Sequence, residues 1–276
     1  MAEARWDPDR YLEFEEERGR PFDDLIGRVR HTAPGRVVDL GCGPGNTTAR
    51  LLDRWPDARI LGIDSSKEMI ADAKEFEVPG RLEFRVEDLR DWEPEEPEDV
   101  VLCCATFQWI PDHVKLFQRL IGSLTPGGTF AFQVPNNFDE PSHTLLHELA
   151  TSDRWKEVLQ PAIRAASVLE PRTYLTELLS TGAQADVWET TYLHVLHGPD
   201  AVLRWIRGTG LRPFLAALEQ SGSPTAVDDF LASYAAALRA AYPRDPHGRV
   251  VFPFRRIFAV AVAPDPGGSL NPPTPV

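Results

Sequence analysis

Arg36-Val-Val-Asp-Leu-Gly-Cys-Gly-Pro-Gly-Asn-Thr-Thr48 is the stretch that decides the fold. Val37, Val38 and Leu40 form a short apolar run, closed off by Pro34-Gly35 before it and three glycines after it. That is the pattern of a buried first strand. Gly41, Gly43 and Gly45 carry no Cβ, so the chain can turn tightly there and a bulky group can come close to the backbone. Asn46-Thr47-Thr48 puts side-chain oxygens where a helix begins, and Ala49 to Trp55 continues it. A strand, a glycine turn and a helix N-terminus together make a site for a nucleotide cofactor.

The spacing of the glycines selects among such cofactors. A dinucleotide fingerprint needs G-x-G-x-x-G, but counting from Gly41 the sixth position is Asn46. The pattern present, Asp39-x-Gly41-x-Gly43-x-Gly45, resembles the first motif of the class I methyltransferases, which bind S-adenosylmethionine. A second strand, Arg59 to Asp64, ends in an acid nineteen residues past Gly45, where a carboxylate can accept both ribose hydroxyls of an adenosine. Ser65-Ser66 then caps a helix from Lys67 to about Phe76, whose Met69 can lie against the adenine. Leu82 to Val86 reads as the third strand. The resemblance to the class I methyltransferases implies that Asp88, the acid after it, accepts from the adenine amino group, with Leu89 beside it. Asp99 to Ala105 is a continuous apolar run suited to the centre of a parallel sheet. Ala105 and the following Thr106-Phe-Gln-Trp109 mark where the sulfonium end of the cofactor is expected.

Composition narrows the class of substrate. A chain of 276 residues with 42% hydrophobic and 26% charged residues has the make-up of a globular protein with a full core. A net charge of −13 argues against nucleic acid as a partner, because a phosphate backbone is held mainly by basic surface. No apolar run approaches the ~18 residues a membrane helix needs, and Met1 to Arg10 lacks a signal-peptide core, so a cytoplasmic protein with no membrane partner is expected. Three cysteines, two of them adjacent at Cys103-Cys104, do not suggest a disulfide framework, and no metal site is expected. The charge is uneven: residues 199–262 carry eight arginines against five acids. Part of this reflects a general preference for arginine, with 25 arginines and four lysines in the chain.

The remaining segments predict the organisation of the chain. Asp7-Pro8 opens an N-terminal helix that Gly19 to Pro21 interrupts before a second helix from Phe22 to Val29, and Tyr11 and Arg18, seven apart, share one helical face. Residues 1–32 are expected to form a helical lid. A helix from Asp112 to Leu124, a turn at Thr125-Pro-Gly-Gly128 and a strand from Thr129 to Val134 follow the fourth strand. Two later strands, Asp186 to Leu196 and Arg249 to Val262, give the antiparallel ending that a nicotinamide-binding Rossmann domain lacks. The expected fold is α/β, a Rossmann-like class I methyltransferase sheet of seven strands with the last antiparallel. The cofactor-binding core takes residues 33–135, 171–198 and 247–263. Residues 136–170 and 199–246 are helical cap insertions over the carboxyl ends of the strands, and 264–276 is a flexible tail.

Blocks outside the cofactor motif carry a closer resemblance. Trp6-x-Pro-x-x-Tyr11-x-x-Phe14, Glu17-Arg18-x-Arg20-Pro21, Phe107-Gln-Trp-Ile-Pro-Asp-His113, Gln133-Val-Pro-x-Asn137, Glu140-Pro-x-His143, Trp205-Ile-Arg-Gly-Thr-Gly-Leu-Arg-Pro213 and Ala240-Ala-Tyr-Pro243 resemble the trans-aconitate 2-methyltransferase family over about residues 5–262. The resemblance implies methyl transfer from S-adenosylmethionine to a carboxylate of trans-aconitate or a similar acid. It also implies a cofactor site of Tyr11, Arg18, Asp39, Gly41, Gly43, Gly45, Asp64, Ser65, Met69, Asp88, Leu89 and Ala105. Trp109, Asn137, His143, Trp205, Arg207, Arg212 and Arg255 are the expected acid contacts. The protein is expected to be a monomer or a weak homodimer.

The chemistry agrees with this composition. A carboxylate is already ionised at pH 7, so its attack on a sulfonium methyl requires no general base, and no acid or base residue is expected. Burying a multiply charged acid costs several kcal/mol per ion, and bidentate arginine contacts offset that cost. His113, His143 and His194 are therefore not read as bases. Two alternatives stay open on the residues alone: a methyltransferase acting on a hydroxyl of another small molecule, which would need a base, and an S-adenosylmethionine-binding protein without turnover.

Overall fold

The computed structural model describes residues 14–163 and 167–265; Tyr11, the helix start at Asp7-Pro8 and most of the expected tail lie outside them. Helix α1 (Glu15–Arg28) precedes β1 (Arg36–Leu40). Then follow α2 (Asn46–Ala49), α3 (Leu51–Arg54), β2 (Arg59–Asp64), α4 (Lys67–Ala73), β3 (Leu82–Val86), β4 (Glu98–Cys104), α5 (Phe117–Gly122) and β5 (Leu124–Pro135). The second half contains α6 (Pro141–Thr151), α7 (Lys156–Leu159), α8 (Pro171–Ser180), β6 (Gln184–His197), α9 (Ala201–Arg207), α10 (Arg212–Gln220), α11 (Ala226–Ala241) and β7 (Arg249–Val262). The seven strands form one sheet in the order β3-β2-β1-β4-β5-β7-β6. The pairs β1–β2, β1–β4, β2–β3 and β4–β5 are parallel. Strand β7 reverses direction. Gly128 accepts from Ala263 at 2.9 Å while Asn136 donates to Arg255 at 2.8 Å, so one number rises as the other falls.

Sequence pattern explains which strands lie inside. Val37 to Leu40 and Val100 to Cys103 are buried without alternation, as central parallel strands covered on both faces require. Strand β6, at the sheet edge, alternates: Tyr192, His194 and Leu196 are buried, whereas Leu193 and Val195 face out.

The contacts group the chain into two compact units. One contains Phe22–Val134, Leu169–Trp188 and the chain from Ile257 onward. Its aromatic core sets Phe107 parallel to His113 at 5.1 Å, with Phe117, Phe130, Phe132 and Tyr174 around them. His113 Nδ1 lies 3.0 Å from the Ile110 carbonyl and Nε2 lies 2.9 Å from the Tyr174 hydroxyl. Both ring nitrogens are thus satisfied inside the core, and burial lowers the pKa of the imidazole. The other unit contains Pro135–Val168, Glu189–Arg256 and the first residues of α1. Its core is built on Trp205, packed by Phe14, His194, Phe252 and Phe254 at centroid distances of 5.0, 4.7, 5.7 and 5.4 Å.

Several boundaries differ from expectation. Helix α1 is not interrupted at Gly19 to Pro21 but runs through both residues. Proline removes one helical donor, and burial of Phe22, Leu25 and Ile26 offsets that loss. The helix after the glycine turn divides into α2 and α3 at Arg50, and Gly45 stands at its N-terminus with no side-chain cap. The segment expected as a helix from Asp112 begins as a 3₁₀ turn, His113–Leu116, ahead of α5. Thr125 to Gly128 is an irregular part of β5 instead of a separate turn: the β4–β5 register jumps from Glu98↔Leu124 to Val100↔Thr129. Among the described residues no helix is long and apolar enough to cross a membrane.

Helix α6 depends on two tyrosines. Pro141 begins it without a side-chain cap, so Ser142 keeps a backbone N–H that the helix cannot satisfy. The Tyr242 hydroxyl accepts it at 3.0 Å, and the Tyr234 hydroxyl donates to the Ser142 carbonyl. Ser142 is fully buried. Tyr242→Phe should therefore lower stability by about 1–3 kcal/mol, the cost of an unsatisfied buried donor. A shift of the urea midpoint at constant slope measures it, and an unchanged midpoint would mean that this bond holds nothing in place.

Candidate functional site

The glycine turn is shaped by the end of β2. The Ile63 carbonyl accepts from both Gly41 and Cys42, at 2.8 and 2.9 Å. One oxygen of Asp64 accepts from Gly43 at 3.1 Å and the other from Ser66 at 2.9 Å. The three glycines then do different work. A Cβ on Gly41 would collide with the Thr106 side chain, and one on Gly45 would stand 2.8 Å from Ala73 and from the Phe84 ring. Gly43 alone of the three faces open space, in left-handed backbone at φ 58°.

Acidic groups surround this turn. Asp39 is buried below it and accepts from the Thr48 hydroxyl at 2.6 Å. Its Oδ1 has no hydrogen-bond partner among the described residues, and burial pushes the carboxyl up to about 6. Burial also raises the pKa of Asp64, against the lowering by its two backbone donors. Asp88 is gripped by the Arg90 guanidinium, which holds its carboxyl below the usual range. Ser65 is exposed; Ser66 caps α4 by accepting from Met69 at 3.2 Å. Leu89 is buried, and Ala105 takes left-handed backbone at φ 51° at the end of β4, donating to Gln133 at 2.9 Å. Trp109 is half exposed. The Cys42 thiol is pushed far up by burial and the nearby acids, which removes it as a nucleophile.

In the unit that contains Trp205, four of the sequence-expected acid contacts, His143, Trp205, Arg207 and Arg212, belong to or adjoin the segment around Gly208-Thr-Gly210. Arg207 ends α9 and Arg212 begins α10, on either side of this turn. Both are half-buried, and burial lowers the Arg212 pKa. His143 Nε2 lies 3.8 Å from where a Gly210 Cβ would stand. Arg18, expected on the cofactor with Tyr11, lies against the same turn. Its guanidinium donates to the Trp205 carbonyl at 3.3 Å, covers the indole at 5.2 Å and stands 3.4 Å from a Gly208 Cβ.

Two expected acid contacts are engaged elsewhere in this unit. Arg255 donates to the Asn136 carbonyl at 2.9 Å, pairs with Asp139 and stands 3.9 Å from Glu189. The buried Asn137 accepts from the Arg255 backbone at 2.6 Å. Sequence reasoning missed the surroundings of His194, which Arg18, Arg20 and Arg256 approach closely enough to lower its pKa further. The alternation of Tyr192, His194 and Leu196 signalled a buried histidine. Nothing in the linear sequence joins it to Arg18 and Arg20, more than 170 residues away.

Comparison with known proteins adds three findings. Residues 37–128 match the family model described as a methyltransferase domain. A trans-aconitate 2-methyltransferase of Streptomyces coelicolor is 52% identical, spanning 95% of this chain and 88% of that protein. One of Streptomyces avermitilis is 50% identical, spanning 94% and 97%. Among solved structures, phosphoethanolamine N-methyltransferase 2 of Haemonchus contortus, in complex with phosphomonomethylethanolamine and S-adenosylhomocysteine, is similar in fold. It has a TM-score of 0.53 at 20% identity, covering 89% of this chain and 52% of that one.

Two predictions follow from this geometry. Gly43→Ala should cost only about 1–2 kcal/mol of stability, the strain of a left-handed alanine, because its methyl meets no atom within 4 Å. The same methyl should weaken binding of an adenosine cofactor at least about tenfold, by occupying the open face of the turn. Calorimetric titration with S-adenosylhomocysteine reads this, and unchanged affinity would remove the turn from the site. The second concerns pH. Burial lowers the pKa of His143 and of His194 from 6.5 to about 4, so the unfolded chain takes up protons first. Their contribution to stability is full above about pH 6.5 and is lost as pH falls toward about 4. Asp39, raised from 3.8 to about 6, acts in the opposite sense. His194→Gln should flatten the acid limb of a stability–pH curve; an identical limb would show that His194 does not resist protonation.

Proposed function

The chain belongs to the trans-aconitate 2-methyltransferase family, and from that premise we propose that it esterifies one carboxylate of trans-aconitate, or of a closely similar di- or tricarboxylate. It is an S-adenosylmethionine-dependent methyltransferase. One observation carries the choice of acceptor. Identity of 52% extends over 95% of the chain, far beyond the cofactor-binding stretch and through the arginine-bearing segments.

The residues at the turn suit S-adenosylmethionine. Gly43 has an open face, the Asp64 carboxylate keeps lone pairs beyond its two backbone donors, and Asp39 Oδ1 is a buried acceptor without a partner among the described residues. The turn Gly41 to Gly45 with Asp64 would hold the adenosine, and Asp88 its amino group. Bound there, the cofactor supplies an electrophilic methyl group on a cationic sulfur.

The protein's own residues then position the acid and exclude water. The attacking carboxylate is ionised at neutral pH, so the site aligns oxygen and methyl carbon at about 3–3.5 Å and needs no base. Arg207 and Arg212 serve as counter-charges to the acid. A half-buried guanidinium gains from an anion at short range. The net charge of −13 repels that anion only at distances that physiological salt screens beyond about 8 Å.

Incubation with S-adenosylmethionine and trans-aconitate should give a product heavier by one methylene, detected by mass spectrometry. Arg207→Ala or Arg212→Ala should raise KM for the acid about tenfold with the cofactor KM nearly unchanged. The kcat profile should stay flat from about pH 6.5 to 8, since the only expected ionisation is that of a carboxylic acid. A limb controlled by a group titrating near neutrality would instead favour a hydroxyl acceptor.

A further inference from the structure

The turn between α9 and α10 carries two glycines, Gly208 and Gly210, and its backbone demands neither. Both lie outside the left-handed region that favours glycine. Crowding does not demand a glycine at 210 either. A Cβ there would have two atoms within 4 Å, His143 Nε2 at 3.8 Å and the Ile206 Cγ2 methyl at 4.0 Å, and both distances are ordinary van der Waals contact. Gly41 and Gly45 differ in this respect, since a Cβ would stand 2.3 Å from Thr106 in the first case and 2.8 Å from Ala73 in the second. Folding by itself therefore leaves room for a methyl group beside the half-buried Gly210.

The nitrogen nearest that room is left available by the fold. Among the described residues the His143 ring hydrogen-bonds through Nδ1, which lies 3.1 Å from the Ser142 hydroxyl. Ser142 is fully buried, so its hydroxyl proton needs an acceptor, and Nδ1 is the one it meets. Accepting that proton's hydrogen bond places the single N–H of a neutral imidazole on Nε2. The ring is neutral because burial first, and then the neighbouring His147, bring its pKa to about 4 against the opposing effect of Asp139. The turn opposite makes its own hydrogen bonds from Thr209 and Leu211 to the Ile206 carbonyl and from Arg212 to that of Thr209, and none of these uses the Gly210 N–H. Arg207 and Arg212 bound the turn on either side.

We propose that Gly210 and His143 form a subsite for one carboxylate of the acceptor acid, with an oxygen seated between the Gly210 Cα and His143 Nε2. This rests on the reading of the chain as a carboxyl methyltransferase. An oxygen accepting from Nε2 on this side stands about 2.9 Å from the nitrogen. That is within the 3.8 Å separating Nε2 from the Cβ position, so glycine leaves open a place that alanine would fill. Ser142 is a positioning residue, because its bond to Nδ1 fixes both the ring and the proton on Nε2. Arg207 and Arg212 bring charge to the turn, and the imidazole adds a directed donor that stays neutral where the acid is ionised.

Gly210→Ala separates the subsite from the fold. Alanine in a backbone it tolerates restricts the unfolded chain, so the urea midpoint should stay at or above that of the wild type. KM for trans-aconitate should rise about tenfold while KM for S-adenosylmethionine is unchanged. His143→Phe keeps a ring against Phe138 and removes the donor, and should raise the same KM about tenfold. His143→Gln, whose amide N–H can stand near the place of Nε2, should recover part of that loss. Calorimetric titration of trans-aconitate in the presence of S-adenosylhomocysteine reads the subsite without turnover, with binding about tenfold weaker expected in Gly210→Ala. Wild-type KM and affinity in Gly210→Ala would overturn the subsite. So would a lowered urea midpoint, which would make the glycine a requirement of the fold. Turnover of trans-aconitate by the wild type tests the reading of function separately: if it is present while Gly210→Ala behaves as the wild type, only the subsite falls. If His143→Phe does not fold, Gly210→Ala decides alone.

Discussion

The last two residues of β2 hold the glycine turn after β1 in shape. Parallel pairing sets Leu40 beside Ile63, which brings the end of β1 to the end of β2. From there one carbonyl and one carboxylate take up the backbone donors of Gly41, Cys42, Gly43 and Ser66. A buried donor left without a partner would cost about 1–3 kcal/mol, a cost that applies in full to Cys42 and in part to the half-buried Gly41, Gly43 and Ser66, so this network holds the loop in one shape. Glycine is required at 41 and 45 by neighbouring side chains. At 43 no neighbouring atom requires it, and the left-handed backbone favours it.

The two units bury charge of opposite sign. Asp39 and Asp64 are anions withdrawn from water, with their pKa values raised by that withdrawal. Arg18, Arg207, Arg212 and Arg256 are cations withdrawn from water to different extents. A buried charge costs several kcal/mol after relaxation, and an opposite charge or a set of donors offsets it. The acidic set suits a ligand bearing hydroxyl donors and a positive sulfur. On the proposed reading, Arg207 and Arg212 of the basic set would meet the carboxylates of the acceptor. An enzyme joining these two reactants needs to place and dry them, because the nucleophile is ionised already. The low pKa of both His143 and His194 accords with that, since neither is poised to exchange a proton near neutrality.

Packing, more than local propensity, decides the helices. Gly19 and Pro21 are breakers in isolation, yet α1 continues through them because its apolar residues are buried. Helix α6 has no side-chain cap of its own and draws its missing partners from Tyr234 and Tyr242, nearly a hundred residues on.

Read alone, the sequence determined the sheet and the glycine turn after its first strand, because both are local. Apolar runs such as Val100 to Cys103 mark central strands, and the spacing of Asp39, Gly41, Gly43 and Gly45 marks a turn whose shape depends on missing Cβ atoms. The blocks around Phe107, His143 and Trp205 made the family legible as well. Only the tertiary structure decided which arginines stand together. Arg255, attractive in sequence, is paired with Asp139, while Arg18 and Arg20 arrive beside His194 from the other end of the chain. Strand and turn signals come from neighbouring residues, whereas the pairing of a guanidinium is settled by which carboxylates, rings and carbonyls folding brings within a few ångströms of it.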